Sequence, residues 1–253
     1  MIPVLAGSPG AGASVLAAVL ADVLQLGQRH VLLVDPADPP RSGLSAAART
    51  RGPWLTHPHP QVRIRFSWRA QALLAQLETG LPVLAPGMVP PPQWWRPPSQ
   101  SPHATVVDLG HDPWRVTAHP LAGAGAWLRR GTPQPRPLLV VRPSRPSLLH
   151  AEQVLARLDY WISTAVAAAP AQLVVMGAKR WPAGVAGAAG RRMNALLPDA
   201  VFVPPDPDLA ASGITAEVTP PRLRQAITPV LHSWGLLPDT AARGRRSSTR
   251  GRS

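Results

Sequence analysis

The sequence predicts an α/β fold, a mostly parallel sheet covered by helices on both faces. Three observations lead there. Short continuous apolar runs alternate with helix-spaced apolar patterns almost throughout the chain, and βα alternation of that kind builds a parallel sheet buried on both sides. Between the first strand and the first helix lies Gly7-Ser-Pro-Gly-Ala-Gly-Ala-Ser14, which keeps the spacing of the phosphate-binding loop G-x-x-x-x-G-K-[ST]. Two further apolar runs end in an acid, Asp35 and Asp108, at the sheet edge where ligands bind in such folds.

The elements follow in order. Residues 2–6 form an apolar strand; Val15, Leu16, Val19, Leu20, Val23 and Leu24 then recur at helical spacing, so the glycine loop opens a helix. Residues 30–35 make a short buried strand. Residues 62–68 alternate apolar side chains with Arg63 and Arg65, the pattern of a half-exposed edge strand. Residues 71–78 read as a short helix and 81–85 as another strand. The proline-rich stretch 86–102, with Trp94 and Trp95 inside it, reads as a surface loop. Further strands are expected at 104–108, 138–142, 173–176 and 201–203, with helices at 147–168 and 221–234. No internal repeat is visible. Residues 1–238 are expected to form one domain and residues 239–253 a disordered basic tail, because 243–253 hold no apolar side chain.

A chain of 253 residues with 45% hydrophobic content can bury a full core. No apolar run reaches the length that spans a bilayer, the start lacks the basic segment of a signal peptide, and cysteine is absent. These features exclude disulfides and thiolate metal sites and fit a cytoplasmic protein. The net charge of +13 favours acidic partners such as nucleic acid or anionic lipid. Lys179 is the only lysine; the bias toward arginine, alanine and proline suggests a GC-rich genome, so arginine abundance alone does not indicate chemistry. The tail reads equally as a DNA contact or a solubilising end.

The candidate site gathers at the loop. Gly7, Gly10, Gly12, Ala13 and Ser14 would present backbone N–H groups and a helix terminus to a phosphate. Ser14 and Asp108 are the candidate Mg²⁺ ligands, because an acid ending a neighbouring strand and the loop hydroxyl share that role in phosphate-loop proteins. Asp35 is a second acid at the same edge.

The run Val-Leu-Leu-Val-Asp35-Pro-Ala-Asp38-Pro after a glycine loop and helix resembles the second motif of ParA/MinD-type P-loop ATPases, and Ala-Thr-Val-Val-Asp108-Leu resembles their Walker B strand. Leu138-Leu-Val-Val-Arg-Pro-Ser and the helix with Ala151-Glu-Gln-Val-Leu-Ala-Arg-Leu158 resemble the strand and helix that follow. The order covers roughly residues 1–235 and is closest to the CpaE/TadZ-like branch, where degenerate loops are common. The resemblance implies a P-loop NTPase-like fold, ATP and Mg²⁺ as ligands, a homodimer, protein partners, and Asp35 as the switch acid. Two departures change the expectation. Ser8 stands at the family's signature lysine and Ala13 at the loop lysine, and Pro36 and Ala37 place an extra residue between Asp35 and Asp38. Losing one preorganised donor of this kind typically costs ~3–4 kcal/mol of transition-state stabilisation, so nucleotide binding is expected to be weak or lost.

The leading expectation is therefore an accessory protein, a pseudo-ATPase that acts by binding partners in partitioning, positioning, secretion or conjugation. Two alternatives stay open: a slow ATPase in which Arg41 or Arg142 replaces the lysine, and a nucleic-acid-binding protein with a vestigial loop. Other constellations read as structural. His57, His59, His103, His111 and His119 are expected on the surface or in loops, and Ser144 and Ser147 have no glycine elbow. Trp94 and Trp95 either cap the core, the expected role, or present a docking patch. The basic stretch 177–192 reads as solvated surface or as a loop near a nucleotide base.

Overall fold

The computed structural model describes residues 1–97 and 101–238; the expected tail at 239–253 lies outside the described residues. The strands are β1 (Ile2–Ala6), β2 (Val31–Asp35), β3 (Trp54–His59), β4 (Val62–Arg69), β5 (Ala72–Thr79), β6 (Ala104–Leu109), β7 (Leu138–Val141), β8 (Gln172–Met176) and β9 (Val201–Val203). They form one sheet in the order β3-β4-β5-β2-β6-β1-β7-β8-β9. From β5 to β9 every pairing is parallel, while β3–β4 and β4–β5 are antiparallel. The α-helices are α1 (Ala13–Leu26), α2 (Pro113–Val116), α3 (Arg145–Ser163), α4 (Arg191–Asn194), α5 (Pro207–Ser212) and α6 (Pro221–Ser233).

Strand alternation builds two cores, one on each face of the sheet. Leu138 and Val140 of β7 pack with Leu16 and Leu20 of α1 and Ile227 and Leu231 of α6. Leu139 and Val141, one residue out of phase, pack with Leu148, Leu155 and Leu158 of α3. Full burial of each such leucine contributes about 1.5–3 kcal/mol, which holds α1 and the loop before it rigidly against β1. Among the described residues no helix is long and apolar enough to cross a membrane.

The region between β2 and β6 departs from the sequence reading. Residues 71–78, expected as a helix, are strand β5. Ala, Leu, Gln and Glu favour helix locally, but Ala72–Ala75 are buried between β2 and β4, and tertiary burial overrides propensity. Residues 62–68 are strand β4 as expected, yet not the edge. That place belongs to β3, where Pro58 and the register shift between Thr56 and His59 hid the strand in the sequence. Residues 81–85 form no strand; Pro82 removes a ladder donor just after the chain leaves β5. His57 and His59 thus lie on the edge strand, exposed at the surface.

The proline-rich stretch divides its two tryptophans. Trp95 is buried, donates Nε1–H to the Pro90 carbonyl at 2.8 Å, and meets Trp127 edge-on at 6.4 Å; Trp94 stays exposed. Trp95→Phe keeps most of the apolar burial and orphans the carbonyl. It should cost about 1–2 kcal/mol, read as a shift of the urea midpoint with unchanged slope; Trp94→Phe should shift it by less than about 0.5 kcal/mol.

Candidate functional site

The loop between β1 and α1 has the backbone that its glycines imply. Gly10 and Gly12 sit at φ 68° and 98°, a left-handed conformation that glycine adopts without strain. Gly7 is held by close approach: a Cβ there would lie 2.8 Å from the Ala151 Cβ and 3.0 Å from Val141 Cγ1. Gly7 N–H donates to the Val140 carbonyl at 2.7 Å, pinning the loop to β7. Gly10 and Gly12 N–H have no acceptor among the described residues, and the first turn of α1 adds its own free donors. The loop therefore retains an anion-facing backbone.

Its side chains carry no cation. Ala13 is buried in the α1 core. Ser8, also buried, turns inward to Ser147 Oγ at 2.7 Å, and Ser147 Oγ accepts from Arg142 N–H at 2.9 Å. Arg142, exposed just past β7, donates from Nε to the Gly10 carbonyl at 3.1 Å; it is a guanidinium on the crest of the loop. Arg41 lines a pocket of about 220 Å³ with Asp38, His111 and Arg115, which no residue of the loop lines.

Parallel pairing of β2 with β6 and of β6 with β1 brings Asp35, Asp108 and the loop to one edge. Asp35 is saturated: its carboxylate accepts from Ser42 Oγ at 2.5 Å, Gln76 Nε2 at 3.2 Å and Ala37 N–H at 3.3 Å. Burial raises its pKa, and these three bonds work against the rise. Asp108 is fully buried, and neither carboxylate oxygen has a hydrogen-bond partner. Burial first, then the charge of Asp35, raise its pKa to about 7; the Ser14 hydroxyl beside it offsets part of that rise. An orphaned buried carboxylate next to a hydroxyl is a donor set of hard oxygens that fits Mg²⁺ with several of its waters retained. Asp108 and Ser14 would hold the cation, which supplies charge neutralisation at phosphate oxygens. No three His, Cys, Asp or Glu side chains cluster as a metal site among the described residues.

The segment after β2 closes over this edge. A Cβ on Gly43 would stand 2.5 Å from Ser14 Oγ, so backbone lies directly on the hydroxyl. Ser42 bonds to Asp35, Gln76 donates to the Leu44 carbonyl at 2.9 Å, and Leu44 is buried. His111, expected on the surface or in a loop, lies in the loop after β6, but its place beside the site was not foreseen. It is partly withdrawn from solvent, with Nε2 2.8 Å from the Pro36 carbonyl, and burial lowers its pKa. Its place three residues after Asp108 was the available signal.

No protein-family model matches the chain, and no curated protein sequence matches it. Its structure is similar to a chain of the MinC:MinD cell division protein complex of Aquifex aeolicus, with a TM-score of 0.58, 17% identity, and coverage of 92% of this chain and 95% of that one. A nucleotide-binding protein in complex with ADP from Archaeoglobus fulgidus aligns at a TM-score of 0.48 and 15% identity, over 87% of this chain and 89% of that one, a likeness that carries no argument. The first likeness shows the fold alone, the same mostly parallel α/β arrangement as that chain.

Proposed function

We propose that this protein is a ParA/MinD-like accessory factor, a pseudo-ATPase that keeps the nucleotide-binding scaffold and acts by binding a protein partner in partitioning, positioning, secretion or conjugation. One observation carries the reading: both lysine positions hold small buried side chains, Ala13 and Ser8, and Ser8 is committed to Ser147. Asp108 makes no ion pair among the described residues. The cover of Gly43 on Ser14 supports the same reading, since a bound metal–nucleotide would first have to move that segment.

Arg142 favours a second reading, a slow ATPase. Among the described residues its guanidinium is the one cation bonded to the loop, at the Gly10 carbonyl, and arginine engages phosphate bidentately.

Calorimetry with ATP and ADP, with and without Mg²⁺, tests both, with Asp108→Ala and Arg142→Gln alongside. The accessory reading expects dissociation constants near or above about 0.1–1 mM, as only backbone donors and the cation remain, and no turnover above the Asp108→Ala background. Multiple turnover that both substitutions abolish would overturn it in favour of the ATPase.

A further inference from the structure

A second concentration of positive charge lies away from the loop. The chain from Ala37 to Arg51 folds beside β4 and β5 and leaves an open pocket of about 540 Å³ between them. No residue of the loop at 7–14 lines it. Arg63 and Arg65 enter from β4, two residues apart and so on one face of the sheet. Arg49 and Arg51, from the segment before β3, also line it.

These four arginines are not equally occupied. Arg65 is fixed by two bonds to Glu78, at 2.5 and 3.1 Å, and by a bond from NH1 to the Gly52 carbonyl at 2.8 Å. Arg49 pairs at the rim with Glu217. Arg51 and Arg63 are exposed, and neither makes an ion pair or side-chain hydrogen bond among the described residues. Both nonetheless act on Glu78, which Arg65 first, then Arg51 and Arg63, hold below the usual carboxylate range. One carboxylate thus faces three guanidinium groups. The other acid of the wall, Asp35, is buried and held by the neutral donors Ser42, Gln76 and Ala37, so the lining sets four guanidinium groups against two acids.

We infer that this pocket binds a small phosphate-bearing anion, with Arg51 and Arg63 as its cationic ligands, at a site separate from the glycine loop. Two guanidinium groups without an ion pair or side-chain hydrogen bond among the described residues suit an anion with several oxygens, because the planar fork of arginine matches phosphate. The volume falls in the range of small-molecule pockets and is concave, unlike a surface that tracks an extended backbone. An arginine-rich composition scatters cations over a surface; here two separate segments, 49–51 and 63–65, bring four of them to one cavity.

The test is calorimetric titration of the full chain with inorganic pyrophosphate, without and with Mg²⁺. Binding should need no Mg²⁺, weaken with added salt, and fall by about tenfold or more in each of Arg51→Gln and Arg63→Gln. Both side chains are exposed, and near-ultraviolet circular dichroism confirms that the variants fold. Nucleotide binding at the loop has the opposite signature, dependent on Mg²⁺ and Asp108 and indifferent to these arginines, so the two readings fail separately. No binding at millimolar pyrophosphate, or binding unchanged in both variants, overturns the assignment. Tighter binding of a single-stranded oligonucleotide through the same arginines also overturns it and makes this a nucleic-acid surface.

Discussion

Asp108→Asn should stabilise the protein by about 2–4 kcal/mol at pH 8 and remove most of its pH dependence between pH 4 and 7. The carboxyl is fully buried without a hydrogen bond, and its pKa stands at about 7 against an ordinary 3.8. Below pH 4 the folded and unfolded states both hold the proton. As pH rises from about 4 to 7 the unfolded chain releases it while the folded chain keeps it, so stability falls across that window and levels off above it. The gap between 3.8 and about 7 corresponds to roughly 4 kcal/mol at most. Asp35, also raised by burial and electrostatically coupled to Asp108, accounts for any slope that survives, because the pair titrates as a unit. Urea unfolding at pH 5 and pH 8 in chelator reads the effect directly; an Asn variant with the wild-type slope would show that Asp108 is solvated. Adding Mg²⁺ at pH 8 should stabilise the wild type and leave Asp108→Asn unchanged, since binding to the native state alone stabilises it.

Arg69→Ala should cost about 3–5 kcal/mol, the usual loss when one partner leaves a buried ion pair. Arg69 NH2 lies 2.9 Å from Asp22 Oδ2 with both side chains fully buried. The same guanidinium donates to the carbonyls of Thr215 and Glu217, the latter at 2.7 Å. Asp22 also accepts from Gln25 Nε2 and Thr219 N–H, each at 2.7 Å. This network joins α1, the β4–β5 turn and the segment before α6, so its loss should loosen all three. Arg69 Nε and Thr219 Oγ1 find no partner in it, so the network is only partly satisfied. The exposed pair Arg49–Glu217 provides the contrast: Arg49→Ala should cost less than about 1 kcal/mol. Equal midpoint shifts for the two alanine variants in urea would refute the distinction.

Much of the candidate site was legible because its signals are local. Gly7, Gly10 and Gly12 are dictated by backbone conformation and close approach at their own positions, and Asp35 and Asp108 end apolar runs that burial alone makes strands. The strand order that sets β6 between β1 and β2 is not written in the alternation and comes from tertiary pairing. What stayed hidden depends on distant partners. Residues 71–78 look helical by propensity and become β5 only because β2 and β4 cover them. His111 reaches the site through the Pro36 carbonyl, and Asp22 and Arg69 meet across 47 residues of sequence.

The sequence by itself determined the α/β plan, the loop and the absence of its lysines, since each is written in residue type and spacing within a single strand–loop–helix unit. Only the tertiary structure decided that Ser8 turns inward to Ser147, that Gly43 lies on Ser14, that Asp108 is left without a partner, and that Arg51 and Arg63 face one cavity. Burial and pairing are properties of what surrounds a side chain, and those surroundings are assembled from segments far apart in the chain.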